Sequence, residues 1–261
     1  MTVVIPVWDH YVELLADAVE SVRRAAGQVP ILIVDNASQT PVPDLREASL
    51  IRAPQRLTVG AARNLGLEQV QTEFVLVLDA DDMLLPWTLN LLCSRLQRDP
   101  SLAIGASSIF DGGTNARHRT PRRFVSRLTR WPRAFAVAHS IWSLVPIQGC
   151  AVMRTAHARQ AGGYADADWA DDWVLSVSLA FRGGVHVSER LGRYYRQTKG
   201  SISRRPKAAR ELAAGARLVR QRIRSDPEIP AWMRVALPIV ALLQLATIYG
   251  LRPAYWRLPR A

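Results

Sequence analysis

Residues 74–82 read FVLVLDADD. Five apolar residues run without a break into three carboxylates, Asp79, Asp81 and Asp82. A short apolar run rich in Val and Leu, stopped abruptly by polar residues, suits a strand buried on both faces. Strands of that kind belong to mostly parallel sheets covered by helices on each side. Such sheets bind ligands beyond the carboxyl ends of their strands. The run therefore delivers its aspartates to a binding rim. Crowded carboxylates repel one another unless a proton or a cation sits among them. Oxygen donors favour a hard divalent ion, Mg²⁺ or Mn²⁺. Mg²⁺ commonly divides its shell between one or two carboxylates and substrate phosphates. The competing explanation is structural, because Asp is also common in turns and at helix N-caps.

The flanking sequence supports an α/β chain. Residues 2–7 (TVVIPV) read as a first strand, and 11–26 carry apolar residues at Val12, Leu15, Val19 and Val22, a helical spacing that Gly27 ends. Residues 31–34 form a second apolar run, stopped by Asp35 and Asn36, and 49–53 suit a third strand. A helix is expected over 59–70, weakened by Gly60 and Gly66. After the central strand, Pro86 suits the first turn of a helix reaching Arg98, and 103–110 suit another strand. Strands alternating with helices at this spacing indicate βαβ units. Neither a Gly-x-Gly-x-x-Gly turn after the first strand nor a Walker A motif is present. A bound nucleotide would then be held by Asp side chains, loop backbone and metal.

The character changes at Asp111. Residues 117–133 hold seven arginines and no acid, with Phe124 and Trp131 interleaved. They suit a basic loop or helix over a site or a membrane, or a solvated surface. Residues 148–154 are again apolar, and a short helix and the turn Gly162–Gly163–Tyr164 follow. In ADADWADDWVLSVSLAFRGG, the residues Trp173, Val174, Val177, Ala180 and Phe181 share a helical face, with Asp171 and Asp172 at its N-terminal end. Capping accounts for one such aspartate more readily than for two. Residues 185–188 and 192–196 are short strand candidates. Residues 204–224 carry eight basic residues and one acid and suit a helix. Residues 232–251 are mainly apolar but interrupted by Arg234, Pro238 and Gln244. That pattern suits a helix lying on a membrane surface or packed on the protein better than one spanning a bilayer.

The 261 residues suffice for one large or two small domains, and 49% hydrophobic with 21% charged residues is a globular composition. A net charge of +12 calls for an anionic partner. Cys93 and Cys150 lack metal-ligand spacing and read as buried thiols in a reducing compartment. The opening residues read as a strand rather than an export leader. The expected location is cytoplasmic, either free or peripheral at the inner face of the cell membrane.

Taken in order, VIPVW, VDNAS (34–38), GAARNLGL (60–67), FVLVLDADD, the GGY turn, ADDWVLSVSLAFRGG and YYRQTKGSIS (194–203) resemble family 2 glycosyltransferases. The resemblance implies the GT-A fold, a mixed and mostly parallel sheet flanked by helices. It divides the chain into a donor half (1–110), an acceptor half (111–203) and a basic helical tail (204–261) outside the match. It implies metal-dependent, inverting transfer of a sugar from a nucleoside diphosphate sugar (UDP-, GDP- or dTDP-linked) to a hydroxyl of a glycan or lipid-linked acceptor, in cell-surface glycan or polysaccharide assembly. No nucleic acid is expected. Asp81 is the implied metal ligand, and Asp79 either joins it or reaches the donor ribose. Pro6, Val7, Asp9, Asp35, Arg63 and Ala80 are implied on the donor side. Asp172 is the implied base, with Asp171, Trp173, Gly163, Tyr195 and Arg196 lining the acceptor side. The family often has Glu-Asp where Asp171–Asp172 stand and a His where Thr198 stands, and no Gln-x-x-Arg-Trp of the processive branch follows.

Two rivals use the same features. A phosphatase with an Asp-x-Asp nucleophile would carry it near the chain start and follow it with Gly-Thr, whereas here Asp82–Met83 follow. A basic membrane-surface or nucleic-acid adaptor would use the +12 charge and leave the carboxylates without a role.

Overall fold

The computed structural model describes residues 1–111, 122–145, 147, 149–196 and 209–251. Their strands are β1 (Thr2–Val7), β2 (Ile31–Asp35), β3 (Ala48–Arg52), β4 (Phe74–Val77), β5 (Met83–Leu84), β6 (Ile104–Asp111), β7 (Ala151–Arg154) and β8 (Val185–Tyr195). They form one sheet in the order β3-β2-β1-β4-β7-β6-β8-β5. β1, β2, β3 and β4 run parallel, β7 runs antiparallel to both β4 and β6, and β6 and β8 pair in parallel. The helices are α1 (Leu15–Ala26), α2 (Val59–Gln69), α3 (Thr88–Arg98), α4 (Arg122–Leu128), α5 (Pro132–Ile141), α6 (Thr155–Gln160), α7 (Asp171–Arg182), α8 (Ala209–Ser225), α9 (Ala231–Val235) and α10 (Leu237–Ala246).

The central strand is buried on both faces, and its side chains separate by parity. Phe74, Leu76 and Leu78 join the layer under α1 and α3. Val75 and Val77 join the layer that holds Leu67 of α2 and Leu175 and Leu179 of α7. This two-sided packing explains why the sequence runs apolar without alternation. The glycine that weakens α2 as a helix is what lets it lie against the sheet. A Cβ on Gly66 would stand 2.3 Å from Val4 Cγ1 and 2.9 Å from Val34 Cγ2. Gly66→Val is therefore expected to cost about 1–3 kcal/mol by overpacking, measured as a shifted urea midpoint with an unchanged slope.

Some boundaries differ from the sequence expectation. α3 begins at Thr88 rather than at Pro86 because the chain after the aspartates is first tied across to β8. Met83 and Leu84 pair with Tyr194 and Arg193, and the Leu85 N–H and the Thr88 hydroxyl both donate to the Gly192 carbonyl, at 3.0 and 2.6 Å. The two expected strands at 185–196 are one strand, β8, with register irregularities opposite Ala106–Ile109. In the basic segment, 117–121 lie outside the described residues. The rest forms α4 and the start of α5, with Phe124 and Trp131 exposed. Within the basic helix expected at 204–224, 204–208 lie outside the described residues and α8 holds the remainder. The apolar 232–251 segment divides at Ala236 into α9 and α10 and ends in a π-helical turn, Thr247–Leu251. Among the described residues no helix is long and apolar enough to cross a membrane.

Candidate active site

β4 ends at the rim formed by the carboxyl ends of β1 and β2, and the turn beyond it is closed by the Asp82 N–H donating to the Asp79 carbonyl at 3.0 Å. This turn gathers Asp79, Asp81 and Asp82, each with a carboxylate oxygen within 4.8 Å of the others. Asp79 and Asp81 are half-buried and Asp82 is fully buried. Arg193 of β8 donates to Asp82 Oδ2 at 2.7 Å, and the Arg196 backbone N–H donates to Oδ1 at 3.1 Å. Burial pushes the Asp82 carboxyl upward against the pull of Arg193. Asp82 thus anchors the turn from below, while Asp79 and Asp81 stand nearer the surface. Asp79 and Asp81 offer hard oxygen donors of the kind a hard divalent cation takes.

Arg63 connects this rim to α7. Its Nη2 donates to Asp79 Oδ1 at 2.7 Å and its Nη1 to Asp171 Oδ2 at 2.5 Å. Burial works against the Arg63 charge, but Asp171 and Asp79 outweigh it and hold the guanidinium above its ordinary pKa. Burial also works against the Asp79 charge, yet Arg63 and Arg193 hold that carboxyl below the usual range. Arg63 is positioned by α2, whose N-terminus is clasped by the loop that leads into α7. Thr58 caps the helix by accepting from the Ala61 N–H at 3.2 Å and donates its own hydroxyl to Asp166 Oδ1 at 2.5 Å. The Val59 N–H donates to Asp168 Oδ1 at 2.9 Å and the Gly60 N–H to the Ala167 carbonyl at 3.0 Å. Of the three otherwise unpaired N–H groups of the first turn, two are satisfied from 110 residues or so along the chain and the third by the Thr58 cap. Asn64 adds a reciprocal pair, accepting from the Tyr164 N–H at 2.8 Å and donating to its carbonyl at 2.9 Å. Gly163 permits that approach: its φ is +63°, and a Cβ there would stand 2.3 Å from Asn64 Oδ1.

Asp172 occupies the first turn of α7, half-buried beside Asp171. A helix N-terminus favours the ionised carboxylate. Burial first, and then the neighbouring Asp171 charge, oppose that and push its pKa up to about 6. Trp173 is fixed by its indole N–H donating to the His139 carbonyl at 2.6 Å. His139 accepts from the Leu144 N–H at Nδ1, 3.0 Å, which leaves Nε2 to donate to Ser176 Oγ at 2.7 Å. Burial lowers the His139 pKa to about 3, so the ring is a neutral strut between α5 and α7.

The remaining sequence candidates fall into two groups. On the donor side, Pro6 and Val7 pair with Val34 and Asp35 at the strand ends. Asp35 is buried, with Oδ1 accepting from the Ser38 N–H at 2.9 Å and Oδ2 bound by Arg52. Asp9, at φ 42°, accepts from the Gln39 N–H at 2.9 Å. Ala80, next to the rim aspartates in sequence, has its side chain in the core. Around the aspartate turn, Tyr195 packs on the Arg193 guanidinium with 5.2 Å to the ring centre, and Arg196 donates to Asp17 of α1 at 2.7 Å. Thr198 and the rest of the loop at 197–203 lie outside the described residues.

Three contributors were missed by the sequence reading: Arg193, the Asp166–Asp168 clasp, and Arg56, whose guanidinium lies 3.6 Å over the Trp8 ring next to Asp9. One signal for Arg193 was available. A buried aspartate at the end of a strand needs a cation, and the strand candidate at 192–196 offers two arginines.

The sequence profile described as Glycosyl transferase family 2 matches residues 2–161, more than half of the chain. A search of curated proteins finds no match. Among solved structures, S. aureus TarS 1–349 in complex with UDP-GlcNAc superposes with a TM-score of 0.72 at 12% identity, over 99% of this chain and 76% of that one. The same fragment in complex with UDP gives 0.68 at 12% identity, over 99% and 75%. Another S. aureus TarS structure gives 0.67 at 12% identity, over 99% of this chain and 46% of that one. Likeness at this identity speaks for the fold, and the profile speaks for the family. The chain belongs to glycosyl transferase family 2 and is a glycosyltransferase of the GT-A fold.

Proposed function

We propose that the protein transfers a sugar, with inversion, from a nucleoside diphosphate sugar to an acceptor hydroxyl, using Asp172 as the base. One observation carries the reading. Arg63 ties Asp79, on the aspartate turn, to Asp171, the neighbour of Asp172, so a half-buried carboxylate with a pKa of about 6 is held in fixed relation to the aspartate rim. Two of the TarS structures are complexes, one with UDP-GlcNAc and one with UDP, which favours a uridine diphosphate donor.

The diphosphate end of the donor belongs at Asp79 and Asp81, and its nucleoside at the ends of β1 and β2 near Asp9 and Asp35. Asp81, with Asp79 or without it, would hold Mg²⁺ or Mn²⁺. Bound there, the ion neutralises charge on the departing diphosphate as a Lewis acid. Asp172 accepts the acceptor O–H proton as that oxygen bonds to the anomeric carbon from the face opposite the diphosphate. Asp171 is spoken for by Arg63, so it sets the charge around Asp172 rather than taking the proton. The acceptor is a hydroxyl of a glycan or of a lipid-linked glycan.

A screen of sugar nucleotides with Mn²⁺ or Mg²⁺, read as nucleoside diphosphate release, tests the reading. One donor should be consumed, and chelation or Asp81→Asn should abolish the release while thermal melting stays cooperative. Undiminished turnover by Asp81→Asn would contradict it. The transfer rate should also fall tenfold per unit as pH drops below about 6, because only ionised Asp172 accepts a proton. A rate flat from pH 7 to pH 5 would remove Asp172 from that role.

A further inference from the structure

The outward face of α9 and α10 is apolar where a surface helix is ordinarily polar. The inward face, Met233, Leu237, Val240 and Ile248, is buried and packs towards α7 and α8. Turned outward at the same helical spacing are Trp232, Val235, Ile239, Leu242 and Tyr249, with Val235 81% and Leu242 67% exposed. Scattered single apolar residues on a surface need no partner, but a continuous stripe marks an interaction site.

The neighbouring helix α8 says what covers it. Arg210, Arg217 and Arg224 are exposed and seven residues apart, so they share one face of α8, whose own acid is Glu211 alone. Arg220 stands where α8 meets α10, bound to Gln244 of α10. Burial, with Arg217 and Arg224 close by, holds its guanidinium below the usual range. The arginine cluster is therefore adjacent to the helix that bears the stripe. In sequence the chain goes on to add Arg252, Arg257 and Arg260 with Tyr255 and Trp256, and no acid.

We propose that the α9–α10 stripe and the α8 arginines form one docking surface for an anionic lipid bilayer, on which the protein lies without crossing. Apolar side chains with Trp and Tyr suit the headgroup boundary, and arginines beside them suit anionic headgroups. Each arginine near such a surface contributes a modest, salt-sensitive attraction that falls off within a Debye length. A second copy of the chain would bring the same arginines and a like net charge of +12 against itself, which disfavours self-association through this face.

The test is flotation of the full chain with vesicles of phosphatidylcholine alone or with about one third phosphatidylglycerol. The expected result is binding to the anionic vesicles that weakens at least tenfold in 1 M salt, and little binding to the neutral ones. Ile239→Glu with Leu242→Glu, and separately Arg217→Glu with Arg224→Glu, should each lower anionic partition at least tenfold with melting unchanged. All four side chains are at the surface or half-exposed, and the arginine pair still tests the idea should the apolar pair fail to fold. No flotation of the unaltered chain at low salt would overturn the proposal. So would unchanged partition of the folded variants, or a stripe variant that turns a dimer into a monomer while vesicle binding persists.

Discussion

Asp172→Asn should lower sugar transfer by about 10²–10⁴-fold, the usual worth of a positioned base, and at the same time stabilise the metal-free protein at neutral pH. The second effect comes from the cost of holding a raised carboxyl. Below its ordinary value of 3.8 the group is protonated in both the folded and the unfolded chain, and nothing is lost. Between 3.8 and about 6 the unfolded chain releases its proton first, so stability declines as pH rises. Above about 6 the folded protein bears the whole penalty, at most roughly 3 kcal/mol for a shift of this size. Asn removes the charge and with it the penalty. Urea unfolding of both proteins at pH 4 and pH 7.5 reads this directly: the variant should gain at pH 7.5 and not at pH 4. A variant destabilised at both values would show that Asp172 holds the fold rather than serving the reaction.

Arg63→Met should have the largest effect on folding. It strands Asp171, which is 3% exposed, and removes the partner of Asp79. Breaking a buried pair by removing one partner costs about 3–5 kcal/mol, since an uncompensated charge remains inside. Adding Asp171→Asn should restore a good part of that loss, because Asp79 is partly open to water. Transfer should stay low in the double variant, as nothing then ties Asp79 to the first turn of α7. Denaturant midpoints of the two variants and of the unaltered chain, alongside their turnover, separate these effects. A double variant no more stable than Arg63→Met alone would contradict the assignment of Asp171 as the stranded charge.

What could be read from the sequence was what local pattern encodes. The run at residues 74–78 is apolar on both parities because helices cover both faces, and that alone announced a parallel sheet with aspartates at its rim. The helix after Asp171 was legible from Val174, Val177 and Ala180, and its end from the two glycines. The register of the late strand pairs was not legible. Leu84 pairs with Arg193 across more than a hundred residues, and such pairing leaves no periodic trace. For the same reason Pro86 misplaced the start of α3, since the cross-strand bonds to Gly192 outweigh the preference of Pro for a first helical turn. α5 was hidden by the arginines around it, while its buried face of Phe135, Ala136 and His139 is short and mixed. Among site residues, the aspartates were visible as a cluster in sequence. Arg193 and the Asp166–Asp168 clasp act on partners far along the chain, so only the fold brings them to the site.

The most direct test of sugar transfer at this rim is the configuration of the sugar that first leaves the donor. Slow hydrolysis of the accepted α-linked sugar nucleotide, followed by proton NMR before mutarotation, should show the β-anomer appearing first, and Asp172→Asn should suppress it. An α-anomer appearing first, or a β-anomer formed equally fast by Asp172→Asn, would contradict a displacement driven by Asp172 from the face opposite the diphosphate.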